Sequence, residues 1–360
     1  MAKNILHIIN DEKFTIGFIN YMNDNLNNYN HYFIVVIDSK NKSDIDKYKM
    51  YNSIKNVTII FSKKNIYSKV TKKLFDTSDM IIINGVFNMD YFLLKGSKKI
   101  YDKLYLYFWG GDFYYYKKNK VLSIKEKIKK VLLHRAIKKC SGLIFLIDYE
   151  YEKLSEIFPN NNKHYVAAMA PDFCNKIDYD YYLREKNDLN RILIGNSASE
   201  TNQHFEVLTS LSHLKNENIE IICPLSYGND DYRNRVIEKG IEIFGEKFIP
   251  ITDFMPLDRY LKLVNTCKVG IFNNDRQQAL GNINSMLLMG KKIYLRDDTS
   301  MYKNYIDMKI RVFNISDLKN ITKEELFEFD FNVGRDNNII VKDSYSKIKK
   351  QWEKIFNIKI

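Results

Sequence analysis

The stretch KVGIFNNDRQQALGNINSMLLMGKKIYLR, residues 268–296, contains two short apolar runs separated by a polar loop and an amphipathic segment. The runs at 269–272 and 293–295 predict two strands, and apolar side chains recur at helical spacing within 279–289. The polar loop NNDRQQ, residues 273–278, follows the first strand where a parallel sheet presents its carboxyl edge, the usual ligand side of such a sheet. We interpret this loop as the binding site around which the second half of the chain is arranged.

The composition fits a globular protein with a basic surface. A chain of 360 residues, 45% of them hydrophobic, is long enough for two domains with their own cores. The net charge of +12 admits nucleic acid, anionic lipid headgroups and phosphorylated small molecules as partners. Because no Lys/Arg tract alternates with aromatic residues in the way of a nucleic-acid motif, we expect no nucleic-acid partner.

The cysteines and the apolar segments predict a location. Cys140, Cys174, Cys223 and Cys267 stand far apart without a CxxC spacing, which indicates reduced thiols in a cytoplasmic protein and no zinc site. The amino terminus MAKNILHIIN is too short and too soon polar for a signal peptide. Since no run approaches the ~20 apolar residues that a membrane-spanning helix needs, we expect a soluble or peripherally attached protein.

Short apolar runs alternate with helical segments along most of the chain. Each run is continuous, a pattern typical of a parallel sheet covered on both faces. The pattern lapses over 169–190 and then resumes. We predict an α/β protein in which two doubly wound domains face each other over a cleft. The predicted boundaries are a first domain 1–170, an interdomain linker 171–190, a second domain 191–340 and a closing helix 341–360.

Two strand-to-helix loops of the second domain carry candidate ligand contacts. The first begins with Gly195, Asn196 and Ser197, where hydroxyl, amide and helix-start N–H groups suit a phosphate or pyrophosphate. A well-capped loop without a ligand is the alternative, because Ser, Thr and Asn favour N-caps. The second loop offers Ser226 for a phosphate and Tyr227 for stacking on a base or sugar, with a plain turn as the alternative.

The polar loop of the opening stretch carries the strongest local signal. Arg276 stands beside Gln277 and Gln278 just before a predicted helix, a combination that suits neutralisation of a diphosphate and recognition of hydroxyl groups. Gly281 and Asn282 extend the candidate site into that helix. A buried structural arginine is the alternative, although the polarity of the loop has no evident use in packing.

The first domain offers acid–base and binding candidates. One strand leads into Trp109, Gly110, Gly111 and Asp112. The glycine pair lets the backbone turn sharply and approach a ligand. Asp112 could act as a general base on an acceptor hydroxyl, bind that hydroxyl, or cap the following segment. His7, which we expect at the end of the first strand, and Asp11 form a second candidate pair, with a structural histidine as the alternative.

The segment 124–139 predicts a helix in which apolar residues are mixed with many lysines. Its mixed basic and apolar surface suits docking on anionic lipids. A solvated helix face is the alternative. Arg135, which lies within the segment, could instead reach a diphosphate.

A set of motifs occurs in an order and at a spacing that match one bacterial family. The motifs are HIIND near the start, FWGGD, LIGNSASETNQH, ICPLSYG, FGEKFIPITDFMPLDRY and IFNNDRQQALGN. On these motifs, which cover about residues 7–305, the chain resembles the TDP-N-acetylfucosamine:lipid II N-acetylfucosaminyltransferases, also called 4-alpha-L-fucosyltransferases. Ala279 departs from the pattern, since glycine is expected after the Arg-Gln-Gln triplet.

The resemblance implies a GT-B glycosyltransferase with two Rossmann-like domains, no required metal and no cofactor. Enterobacterial members transfer 4-acetamido-4,6-dideoxygalactose from a dTDP donor to an undecaprenyl-diphosphate-linked disaccharide, at the cytoplasmic face of the inner membrane, in enterobacterial common antigen synthesis. By that analogy the candidates of the second domain become donor-site residues, and Trp109 and Asp112 face the acceptor or the transferred sugar. The protein would then be peripheral on an anionic membrane surface.

Other function classes stay open at the level of sequence. Within the enzymes, a transferase of the same fold could use another nucleotide sugar for capsule or lipopolysaccharide. A noncatalytic nucleotide-binding or polyanion-binding protein would bind the donor without turnover and would be indifferent to Asp112→Asn. Direct nucleic-acid binding would show steep salt dependence, and no recognition motif supports it.

Overall fold

The computed structural model describes residues 2–37, 45–86, 97–117, 121–169, 178–185 and 189–358. The chain divides into two compact units, one made of residues 1–176 and 346–360 and the other of residues 177–345. Of the predicted linker, residues 171–177 and 186–188 lie outside the described residues, as does Cys174. No helix in the part that is described is long and apolar enough to cross a membrane.

The first unit is built on a parallel sheet. Its strands are β1 Asn4–Asn10, β2 Asn30–Val36, β3 Val57–Ile60, β4 Met80–Asn84, β5 Leu104–Phe108, β6 Gly142–Phe145 and β7 His164–Val166. They pair in the order β3-β2-β1-β4-β5-β6-β7, always in parallel. Every residue of β4 and β5 is buried, as expected for continuous apolar runs with helices on both faces.

The helices of the first unit connect these strands. In chain order they are α1 Thr15–Asn25, α2 Ile45–Asn52, α3 Lys69–Thr77, α4 Lys98–Tyr101, α5 Gly111–Tyr114, α6 Ile124–Lys139 and α7 Glu150–Ile157. The short α5 begins directly after β5. It therefore lies at the carboxyl edge of the sheet, where the first domain was predicted to contact its ligand.

The second unit is built on a parallel sheet of its own. Its strands are β8 Arg191–Ile194, β9 Glu220–Pro224, β10 Phe248–Ile251, β11 Val269–Phe272, β12 Lys292–Leu295 and β13 Phe313–Asn314. Its helices are α8 Tyr179–Arg184, α9 His204–Ser210, α10 Asp230–Phe244, α11 Leu257–Asn265, α12 Leu280–Leu288, α13 Ser300–Asp307, α14 Lys323–Phe327 and α15 Phe331–Ser346. The strand–helix–strand prediction for the opening stretch is confirmed.

The strand order of the second sheet positions the candidate site. The order is β10-β9-β8-β11-β12-β13, so that the chain runs from β8 to one edge and then returns to the centre at β11. The connections after β8 and β11 leave in opposite directions and open a crevice at the carboxyl edge of the sheet. The loops predicted to bind a ligand follow these two strands.

The end of the described chain returns to the first unit. The predicted closing helix is wrong in its extent, because the helix is interrupted at Lys347 between α15 and a further helix, α16 Ile348–Phe356. Trp352 of α16 is fully buried, and its ring lies 5.7 Å from Phe18 and 5.3 Å from Tyr107 between centroids. Its indole N–H donates to the carbonyl of Ala168 at 3.2 Å. Helix α16 therefore belongs to the core of the first unit.

Candidate functional site

Three loops meet at the carboxyl edge of the second sheet, and Gln278 lies at their centre. Its amide nitrogen donates to Asn196 Oδ1 at 3.1 Å and to Ser197 Oγ at 3.3 Å. Its amide oxygen accepts from Thr201 Oγ1 at 2.6 Å. Asn196 in turn donates to the Tyr227 hydroxyl at 3.1 Å. Predicted donor-site residues from the loops after β8, β9 and β11 are thus joined in one hydrogen-bonded chain.

Asn202 braces these loops from inside the protein. Its side-chain oxygen accepts from the backbone N–H of Asn196 at 3.0 Å and from Asn274 Nδ2 at 3.2 Å. Its amide nitrogen donates to Ser197 Oγ at 3.2 Å, and the side chain is buried. A single residue therefore holds the loops that follow β8 and β11. This role was not predicted; the density of amide and hydroxyl residues over 196–203 was the signal for it.

Gly195 follows β8 directly, in a conformation that glycine adopts far more readily than other residues. Its φ is +69°, and a Cβ at this position would lie 2.6 Å from His204 Nε2. His204 is fully buried at the start of α9, and its Nδ1 shares a hydrogen bond with the Tyr232 hydroxyl at 3.2 Å. Burial lowers the pKa of His204 to about 4. A neutral imidazole therefore supports the loop at pH 7, and only glycine leaves room for it.

The loop after β9 is tied to the loop after β8 by its backbone. The Ala198 N–H donates to the Tyr227 carbonyl at 2.8 Å, and the Asn229 N–H donates to the Ala198 carbonyl at 2.8 Å. A Cβ on Gly228, where φ is +128°, would lie 2.3 Å from that same carbonyl oxygen. The Tyr227 side chain is 46% exposed, so its ring reaches solvent at the edge of the sheet, and Ser226 beside it is half-buried.

The loop after β11 contains both a cation and unused acceptors. Arg276 is half-buried, and its Nη1 donates to the carbonyl of Gln277 at 3.0 Å. The side chains of Asn273, Asn274 and Gln277 are buried. Among the described residues, the amide oxygens of these three side chains find no donor. The loop therefore has hydrogen-bonding capacity that the protein itself does not use.

Ala279 occupies the position at which glycine was expected. It has φ +60° and ψ 13° and is the N-cap of α12. The backbone therefore turns there in the left-handed region that favours glycine, and the alanine is strained. Gly281 is exposed in the first turn of α12. Asn282 donates to the Tyr260 hydroxyl at 3.0 Å and so holds α12 against α11, apart from the hydrogen-bonded chain through Gln278.

A second arginine at this edge was not predicted. Arg296 follows β12, and its guanidinium contacts both carboxylate oxygens of Asp298 at 3.0 Å. Glu206 Oε2 lies 3.7 Å from Arg296 Nη1 and accepts from Asn273 Nδ2 at 2.9 Å. The hydrogen bond with Asp298 raises the pKa of Arg296. Its place directly after a predicted strand was the sequence signal for it.

In the first unit, Asp112 braces the turn that follows β5. Its carboxylate is buried, and Oδ2 accepts from the backbone N–H groups of Val86 at 3.0 Å and Trp109 at 3.1 Å. Gly110 has φ +93° and Gly111 begins α5, so the predicted sharp glycine turn is confirmed. The contacts of Asp112 thus brace the preceding turn and do not cap the following segment, which has no side-chain cap, and its role as a base stays a prediction.

Trp109 covers the end of the neighbouring strand β4. A Cβ on Gly85 would lie 3.0 Å from the Trp109 ring. The ring also meets Tyr107 edge to face, with 6.3 Å between centroids. Its indole N–H is buried and has no acceptor within the described ranges. Trp109 therefore lies between the ends of β4 and β5, one strand away from the switch point of the first sheet, which falls between β1 and β4.

The prediction for His7 is wrong. His7 lies in the middle of β1 and is fully buried. Its Nε2 shares a hydrogen bond with His31 Nδ1 at 3.1 Å, and its ring stacks on Phe33 with 4.8 Å between centroids. Burial lowers the pKa of His7 well below its usual value, so this enclosed neutral ring exchanges no proton with a substrate. Asp11, the proposed partner, accepts from the Tyr51 hydroxyl at 2.7 Å.

The sequence profile of the 4-alpha-L-fucosyltransferases, glycosyl transferase group 56, matches residues 4–356. The chain belongs to this family. The resemblance drawn from the ordered motifs is therefore confirmed. As a member of the 4-alpha-L-fucosyltransferase family the protein is a glycosyltransferase, and the prediction of an enzyme is confirmed as well.

Solved structures share the fold of this 4-alpha-L-fucosyltransferase family member over its whole length. A glycosyltransferase from Rickettsia africae is similar with a TM-score of 0.63 at 12% identity, over 99% of this chain and 98% of that one. Anabaena Alr3699/HepE, solved with UDP and glucose, has a TM-score of 0.65 at 10% identity, over 98% and 99%. A UDP-forming alpha,alpha-trehalose-phosphate synthase from Burkholderia xenovorans has a TM-score of 0.63 at 10% identity, over 99% and 98%. The predicted GT-B fold is confirmed.

Proposed function

We propose that the protein transfers a deoxy-amino sugar of the 4-acetamido-4,6-dideoxygalactose type from a dTDP donor to a polyprenyl-diphosphate-linked saccharide. The hydrogen-bonded chain through Gln278 carries this proposal, because it assembles three loops at a topological switch point, where doubly wound sheets bind nucleotides. Membership of the 4-alpha-L-fucosyltransferase family supports the sugar class and the lipid-linked acceptor. The proposed setting is the cytoplasmic face of the inner membrane, in the synthesis of a cell-surface polysaccharide.

The leaving dTDP group develops negative charge that the second unit is suited to stabilise. Arg276 stands just before α12, whose N-terminus lies at the same edge of the sheet. The guanidinium and the free N–H groups of the first helical turn would stabilise the diphosphate, helped by the helix dipole.

The donor half of the proposal is tested by binding. We expect Arg276→Ala to weaken dTDP binding by roughly 10- to 100-fold, the effect of removing one charge-assisted contact. Isothermal titration calorimetry with dTDP, UDP and GDP measures both the loss of dTDP affinity and the preference for the nucleobase. Arg335→Ala, at an exposed position on α15, is the matched control and should bind dTDP like the wild type. Wild-type affinity in Arg276→Ala would remove this loop from the donor site.

The acceptor half rests on Asp112, which lies at the carboxyl edge of the first sheet. His7 lies in the middle of β1, where its ring is held by His31 and Phe33. An Asp112→Asn variant keeps an oxygen that can accept from Val86 and Trp109, so that the turn is preserved while the basicity is lost. We expect normal donor binding and a loss of turnover of roughly 100-fold or more, as for a general base. Unchanged turnover in Asp112→Asn would show that Asp112 is not the general base and only stabilises the turn after β5.

A second candidate is a transferase of the same fold that uses another nucleotide sugar for capsule or lipopolysaccharide. The likeness to Anabaena Alr3699/HepE, which was solved with UDP and glucose, favours it. A panel of dTDP-, UDP- and GDP-sugars with a polyprenyl-diphosphate-linked acceptor separates the two, because turnover with only a UDP- or GDP-sugar selects the second candidate. Donor binding without turnover on any sugar would instead indicate a noncatalytic protein.

A further inference from the structure

Helix α6 of the first unit packs on the protein with one side only. Leu133, Ala136 and Ile137 are buried. The helix begins at a capping box in which the Ser123 N–H donates to Glu126 Oε2 at 2.7 Å and the Glu126 N–H donates to Ser123 Oγ at 3.3 Å. Its start and its orientation are therefore fixed, and the opposite side is held towards solvent.

The exposed side carries a stripe of aliphatic residues. Ile124, Ile128 and Val131 are 79%, 55% and 67% exposed, and Val121 just before the helix is 95% exposed. The spacing of four and three residues places the three helical members on one face, over about 10 Å of helix. Single exposed aliphatic residues are common, whereas a continuous row of them marks an interaction surface. We call these four residues the apolar stripe.

Cations border the apolar stripe on both sides. On the helical wheel Lys125 and Lys139 lie along one side and Lys127 and Lys138 along the other, and all four are exposed. Arg135, also exposed, continues the stripe one turn beyond Val131. The only acidic residue in the sequence from 121 to 139 is Glu126, and its carboxylate is engaged in the capping box. This surface therefore combines an aliphatic centre with a positively charged border.

We propose that this face of α6 docks on an anionic lipid bilayer, with the apolar stripe inserted among the headgroups and the lysines on lipid phosphates. Transfer of aliphatic side chains from water to the boundary between headgroups and acyl chains is favourable. Lysine side chains are long enough to keep their ammonium groups at the headgroups. A second copy of the chain would bring two cationic borders together, which opposes self-association. Nucleic acid would gain nothing from the stripe, which offers neither hydrogen bonds nor aromatic stacking. The inference uses residues of the first unit alone and does not depend on the identity of the donor.

Co-sedimentation with vesicles tests the proposal on the full chain. The probes are phosphatidylcholine vesicles with and without phosphatidylglycerol. We expect binding to the anionic vesicles only, weakened by salt because the exposed charges are screened. The stripe variant Ile124→Gln/Ile128→Gln/Val131→Gln keeps every charge and should bind at least roughly tenfold more weakly. The matched control, Ile241→Gln/Ile306→Gln/Ile339→Gln, removes exposed isoleucines of the second unit and should bind like the wild type.

Other outcomes would overturn the proposal. Equal binding of the stripe variant and the wild type, or no binding of the wild type to anionic vesicles, would do so. Self-association that the stripe variant abolishes, without vesicle binding, would assign the face to a second copy, and retention on an RNA oligonucleotide instead of vesicles would assign it to nucleic acid. Circular dichroism checks that each variant is folded. The dTDP affinity of each variant, expected to be unchanged, keeps a failure of membrane docking distinct from a failure of donor binding.

Discussion

Replacing Ala279 by glycine should stabilise the protein. Ala279 has φ +60° at the N-cap of α12, and its carbonyl accepts from the Ile283 N–H at 3.0 Å. An L-residue with a Cβ is destabilised in the left-handed region by about 1–2 kcal/mol, and glycine avoids that cost. Glycine also adds disorder to the unfolded chain, which costs about 0.4–1 kcal/mol. The difference predicts that the free energy of unfolding rises by about 0.5–1 kcal/mol.

Urea unfolding followed by far-ultraviolet circular dichroism measures this change, and a melting point raised by about 1–4 °C should accompany it. Lys309→Gly is the matched control, because Lys309 has φ +63° in the same unit but follows α13, away from the loop after β11. Both variants should gain similar stability. Only Ala279→Gly should also change dTDP affinity, weakening it by about two- to threefold since a more mobile loop has to be ordered on binding. A gain in Lys309→Gly without one in Ala279→Gly would refute the assignment of strain to this loop.

Three further changes probe the framework of the two units. Gly195→Ala should lower the free energy of unfolding by about 2–3 kcal/mol in denaturant titrations, because the new Cβ has both an unfavourable φ and a contact with His204. Burial lowers the pKa of His31 to about 4. Well above pH 6.5 the imidazole is neutral in both the folded and the unfolded chain, so its contribution to the free energy of unfolding is fully present. That contribution is lost as the pH falls from 6.5 towards 4, because only the unfolded chain then takes up the proton. Linkage predicts about 2 kcal/mol lost at pH 5 relative to a His31→Gln variant, measured by urea midpoints across pH. Trp352→Ala should cost about 3–5 kcal/mol, seen as an early unfolding transition in calorimetry.

The local patterns of the opening stretch predicted its strands and helix well. The run at 269–272 and the helical spacing within 279–289 became β11 and α12 with little change, because each pattern is set by neighbours in sequence. Because parallel strands end at the same edge of a sheet, the sequence also predicted that Asn196, Tyr227 and Gln278 belong to one site. The hydrogen bonds between these side chains could not be predicted, because they depend on how three loops that are far apart in sequence pack in the folded protein.

His7 shows what a single strand cannot reveal. Its place among apolar residues in NILHIIN predicts either a functional residue at the end of a strand or a structural histidine. The structure instead satisfies it with His31, which lies on the neighbouring strand β2. A polar residue in a buried run requires a partner, and that partner is found only when the pairing of the strands is known. Asn202 was overlooked for the same reason, because its partners Asn196 and Asn274 lie on different loops.

The return of α16 to the first unit has a consequence for synthesis on the ribosome. Residues 346–358 emerge after the whole second unit. The surface of the first unit that Trp352 covers, which includes Phe18 of α1 and Tyr107 of β5, therefore stays open while residues 177–345 are being made. The second unit is continuous in sequence and can complete its own core first. The part translated first is therefore the part finished last. A chain that terminates before residue 346 would carry a complete donor-side network beside an uncovered aromatic surface, the kind of species that chaperones and proteases act on.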